Sequence, residues 1–153
     1  MRTISFALPR VIDAKSQTEH LLQALLPFAE QMLSEHGEFF PFAGALLPSG
    51  NIAPVTANDG REYPPSEDVI ALLRVSLRER AETESFVASI LVYDVRITPP
   101  EATGPTDAIA VELEHRSGYV AKLFFPYKLT DGNLKLEPPF GRPGVRTVFS
   151  APN

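Results

Sequence analysis

Residues 107–127 read DAIAVELEHRSGYVAKLFFPY, two alternating runs about a polar break, and their pairing decides the fold. A three-residue loop, Arg116-Ser117-Gly118, with Gly118 at positive φ, sets His115 opposite Tyr119. Leu113 then faces Ala121, Val111 faces Leu123 and Ile109 faces Phe125, while Glu112 sits opposite Lys122 as a cross-strand ion pair. A two-residue loop would set Leu113 against Lys122 and Glu112 against Leu123. Only the first register keeps one face apolar. That face is expected to pack on the helices.

Working outward, Phe86–Thr98 is rich in β-branched residues with a period of two, and it stops at Pro99-Pro100. Before it, Ser66 reads as an N-cap with Glu67 and Asp68 in the positive first turn, and Val69, Leu72, Leu73 and Leu77 continue that helix to about Glu84. Phe39–Leu47 and Asn51–Ala57 form a hairpin about Pro48-Ser49-Gly50. Pro41 and Pro54 push its strands towards an edge or a bulge, and Asn58-Asp59-Gly60 is a further turn. At the start, Ser16-Gln17-Thr18-Glu19 has capping-box spacing. Leu22, Leu25, Leu26, Ala29, Met32 and Leu33 form one helical face behind it. Pro27 predicts a kink there, or two shorter helices, and Gly37 ends the helix. Beyond Tyr127, Thr130-Asp131-Gly132-Asn133 is a turn before Leu134 and Leu136, Val145–Phe149 is a candidate last strand, and the final residues are expected to fray. The order αββαβββ(β) predicts a single α+β domain over 1–153, flexible at both termini, with a mainly antiparallel sheet and helices packed on one face.

The 153 residues are 44% hydrophobic and 22% charged, with a formal net charge of −5, the balance of an ordinary globular domain. Residues 1–115 carry 8 basic and 17 acidic side chains, and 116–153 carry 6 against 2. The two parts are expected to attract each other within the fold, the alternative being an acidic partner for the basic tail. An acidic total argues against gripping nucleic acid through phosphates. With no cysteine, disulfides, thiol nucleophiles and iron–sulfur clusters are excluded. MRTISFALPRVIDAKSQ has no signal-peptide core, and no window spans a bilayer. A cytoplasmic protein is expected.

No P-loop, G-x-G-x-x-G or G-x-S-x-G motif is present. His20 and His36 lie sixteen residues apart on one helix, about 24 Å along its axis, and His115 stands alone at a hairpin rim. No metal and no cofactor are therefore expected. The best polar constellation is on the sheet. Asp94 and Arg96 share a strand face with Thr98 beyond them, Asp107 opens the next strand, and Glu112 and Glu114 share its polar face. Paired strands would flank Arg96 with carboxylates, either as a binding or acid/base patch or as a solvated ion-pair ladder. Asp94, between apolar neighbours, is the member that needs a hydrogen-bond partner. The Arg74, Arg78, Glu79, Arg80, Glu82 and Glu84 stripe reads as a solvated face in which Arg78 pairs with Glu82. Phe39-Phe40-Pro41-Phe42 is echoed by Phe124-Phe125-Pro126-Tyr127, which reads as coincident core packing or else as edge aromatics for a partner.

FFPFAGALLPSG, the Pro-Pro-Ser that opens the second helix, LVYDVRITPP and TDAIAVELEHRSGYVAKLFFPY together resemble a family of small, functionally uncharacterised bacterial proteins over about residues 38–128. The resemblance implies a bacterial origin and points to Asp94, Arg96, Asp107, Glu114 and His115 as positions to test, without giving them a role. By analogy the element order is that of roadblock-type and profilin-like domains, which serve as interaction or dimerisation modules. The expectation is a non-enzymatic interaction or accessory module, an immunity-type protein among the options, that meets a protein partner or a second copy. The alternative is a small-ligand-binding protein or a hydrolase using the Asp94/Arg96/His115 region.

Overall fold

A computed structural model describes residues 13–57, 60–62 and 64–149 of the protein. The hairpin of the sequence reading is β4 (Thr106–His115) and β5 (Val120–Thr130). Its register is the one derived above: Ile109↔Phe125, Val111↔Leu123, Glu112↔Lys122 and Leu113↔Ala121. The turn closes with the His115 N–H donating to the Tyr119 carbonyl at 2.8 Å, and Gly118 takes φ 112°, which a side chain would resist.

The remaining elements are α1 (Ala14–His36), β1 (Phe42–Leu46), β2 (Ile52–Val55), α2 (Ser66–Thr83), β3 (Ala88–Ile97), β6 (Asn133–Leu136) and β7 (Phe140–Arg142). All strand pairs are antiparallel, in the order β2-β1-β3-β4-β5-β6, with β7 also pairing with β5. The chain thus has the α+β architecture and the helix–strand order that its periodicities predict. Pro54 lies on edge strand β2 opposite Gly44. Since the Leu47 N–H bonds to the Asn51 carbonyl, alternation along the ladder turns the Pro54 nitrogen away from β1. Pro126 is placed by the same logic. It falls in the gap between β7, which pairs with 122–124, and β6, which pairs with 127–130.

The two helices do not share a face. α1 buries Leu21, Ala29 and Leu33 against Ile90, Val92, Ile109, Val111 and Phe125. α2 buries Val69, Leu73, Leu77 and Ala81 against Leu91, Tyr93, Ala108, Ala110 and Phe124. The expectation of helices on one face is corrected by the strands themselves. β3 is buried at six consecutive positions, Ala88 to Tyr93, so both its faces are apolar and each takes a helix. Gly44 lets α1 approach, because a Cβ there would stand 2.8 Å from Leu25 Cδ1.

Four local expectations also change. Asp13, not Ser16, caps α1, its carboxylate accepting the Ser16 N–H at 2.8 Å; that bond holds the Asp13 carboxyl below its ordinary pKa. α1 runs unbroken through Pro27. Ser66 is the first residue of α2 and makes no capping bond there. Residues 145–149 are not a strand, although Val148 and Phe149 are buried. Asn58 and Asp59 of the expected turn, and the termini expected to be flexible, 1–12 and 150–153, lie outside the described residues.

Candidate functional site

Alternation along β4 sorts the polar residues of the sheet. Asp107 and His115 point to the α1 layer, as Ile109, Val111 and Leu113 do, while Glu112 and Glu114 point to the α2 layer with Ala108 and Ala110. Asp107 and His115 are eight residues apart on one strand, about 27 Å at the usual rise. The five candidate residues therefore occupy three places.

At the first, Arg96 is the direct partner of Asp107, and its guanidinium donates to that carboxylate at 3.0 Å. Both side chains are more than half exposed, 62% and 53%, so this is a solvated pair worth little stability. Asp94 instead accepts the Tyr127 hydroxyl at 2.9 and 3.1 Å. Burial raises the Asp94 carboxyl above its ordinary pKa, against the opposing pull of that bond. The partner that Asp94 needs is thus a phenol from β5 rather than Arg96.

At the second place His115 ties the hairpin to α1. Its Nδ1 accepts the Ser117 backbone N–H at 3.0 Å, which leaves Nε2 to carry the proton and donate to Gln17 Oε1 at 2.6 Å. The Ser117 hydroxyl stands 2.8 Å from Nδ1. Desolvation and then the Arg116 charge lower the His115 pKa, which favours the neutral ring, and both its nitrogens are engaged.

The third place has the most structure. Glu114, 4% exposed, accepts backbone N–H groups from Thr147 at 2.8 Å, Val148 at 3.1 Å and Phe149 at 2.7 Å. Three successive amides make an anion-binding concavity, and the chain's own carboxylate fills it. The segment is pinned further by Arg78, whose Nε donates to the Thr147 carbonyl at 3.1 Å. The Phe149 ring lies edge-on to Phe86 and under the Arg116 guanidinium. Arg116 also donates to the carbonyl of Ala81, in the last turn of α2, and to that of Phe86, between α2 and β3. The expected pairing of Arg78 with Glu82 gives way to Arg80 with Glu84, at 2.8 Å.

Between this strap, α2 and the sheet lies a cavity of about 240 Å³. Glu112 stands in its wall and gathers Arg74 and the Tyr93 hydroxyl, each at 2.5 Å, and Lys122 at 3.9 Å. Burial and Glu112 raise the Tyr93 pKa well above its ordinary value, keeping the hydroxyl a donor. Reading the sequence missed Arg74, Tyr93 and the strap. Arg74 looked like one more charge on a solvated stripe, and its partner is 38 positions away. No local spacing signals such a pair.

In the aromatic echo Phe39, Phe124, Phe125 and Tyr127 are buried, whereas Phe40 is 56% exposed; Phe28, on α1, is 48% exposed. Phe28 meets Phe42 edge-on at 5.1 Å, and Phe40, Pro41 and Phe42 line a shallow groove with Val55, Ala57 and Val69. Among the described residues no three His, Asp or Glu side chains converge as metal ligands, and no helix is long and apolar enough to cross a membrane. Compared with protein-family models, with curated proteins and with solved structures, the chain matches none.

Proposed function

We propose that the protein is a non-enzymatic, cytoplasmic interaction module that docks a protein partner on the aromatic groove between β1, β2 and the start of α2. One observation carries this reading: Phe40, 56% exposed, borders a groove lined by Phe42, Val55 and Val69. Aromatic anchors concentrated in one place, bordered by polar side chains such as Arg61 and Glu62, have the composition of an interface core with its rim. The chain's net charge of −5 disfavours a second copy as the occupant and favours a partner with a basic rim, which that field would also steer towards the groove.

The test is quantitative capture from the host's lysate by the wild type and by Phe40→Glu and Phe40→Ala, each first shown to melt within a few degrees of the wild type. A basic partner held by the wild type and released by both variants is the expected outcome. Retention by the variants overturns the groove. A wild type that is monomeric and captures nothing overturns the module, and a dimer broken by the same substitutions replaces the partner with a second copy.

A further inference from the structure

We infer that the cavity beneath the strap is a binding site for a small organic carboxylate with a short apolar body. It shares no lining residue with the aromatic groove, so it stands apart from the docking proposal. The argument is a charge count. Four ionic side chains line the cavity, Arg74, Lys122, Glu112 and Glu114. Glu114 is already met by three backbone amides. Two cations are then left with one carboxylate, Glu112, which also accepts the Tyr93 hydroxyl. The shortfall faces the cavity, since Glu112 accepts from one Arg74 nitrogen, Nη2, and stands 3.9 Å from Lys122 Nζ. A carboxylate balances it, because the guanidinium has further N–H donors and Lys122 adds a second positive charge.

The rest of the wall selects the body of the ligand. Leu77, Leu91 and Val148 are apolar, and Ser89 adds one hydroxyl-bearing side chain. At about 240 Å³ the space is below the roughly 300–1,000 Å³ of drug-sized pockets, which limits the occupant to a metabolite-sized acid. Arg74 and Lys122 are each about one-third exposed, so the charged end lies towards solvent. The apolar body then points under the strap.

Hexanoate is the probe, with hexan-1-ol and hexylammonium as partners of equal body and different head. Calorimetric titration of the full chain is expected to give hexanoate a Kd of about 1 mM or tighter, in line with its few non-hydrogen atoms. Hexan-1-ol should bind at least about tenfold more weakly, the factor that one charge-assisted contact supplies, and hexylammonium not at all. Arg74→Met and Lys122→Met should each weaken hexanoate by a similar factor. Because Arg74→Met also strips Glu112 of a partner, the wild type provides an independent readout: the Arg74 Nε–H resonance should move on addition of hexanoate. No binding at tens of millimolar overturns the site. So does equal affinity for the alcohol, undiminished binding in the folded variants, or an Arg74 resonance that stays in place.

Discussion

Glu114 and His115 are neighbours in the chain and work in different layers, because one step along β4 turns the side chain through the sheet. Glu114 is the sole carboxylate contact of the strap amides among the described residues. Glu114→Gln keeps the size but exchanges an acceptor oxygen for a donor that faces other donors. It is expected to cost roughly 2–4 kcal/mol, the scale of charged hydrogen bonds lost with buried N–H groups left unmet. Hydrogen exchange at Thr147–Phe149 should accelerate more than exchange in β3; a uniform acceleration would contradict the strap. For His115 the sign follows from its lowered pKa. The unfolded chain takes up the proton first as pH falls, so the contribution of this residue is complete above its ordinary value of 6.5 and is lost as the solution acidifies below it. Urea midpoints between pH 7.5 and 5 should fall less steeply in His115→Gln than in the wild type. Equal slopes would place the ring in solvent.

Among the elements, the β4–β5 hairpin was fully legible, since its apolar matches and the Glu112–Lys122 pair agree on one register. β3 was legible as a strand and silent about its neighbours. A run of six buried residues has apolar side chains on both faces, and periodicity cannot say which helix covers which. Nor could spacing reveal bonds spanning some 33 to 38 positions, as at Glu114 and Arg74, because they depend on where the sheet brings distant segments. The unbroken α1 was misjudged for a local reason. Pro27 is exposed, so its ring meets no neighbouring element, and the cost is confined to a lost backbone bond and a clash within the helix. Pro27→Ala should therefore stabilise the protein by about 1–3 kcal/mol, discounted for the freer unfolded chain. A raised urea midpoint with an unchanged slope is the expected result, and a lowered midpoint would show the ring to be needed.

At the scale of the molecule, the sheet is a partition between two cores, one under each helix. Ile109 belongs to the α1 core and Leu73 to the α2 core, and the strands stand between them. Ile109→Val is expected to cost about 0.5–1.5 kcal/mol and Leu73→Ala about 2–5 kcal/mol. Their sum should hold in the double variant to within about 0.5 kcal/mol. Urea denaturation of the three proteins tests this, and a larger departure would show strain passing through the sheet. The same partition has an outer limit at Pro54. An incoming strand would find a carbonyl but no amide at that rung, on a strand only four residues long. Templated growth from this side is capped at its first step, so concentrating the protein, or fusing it in tandem, gives discrete particles rather than fibres.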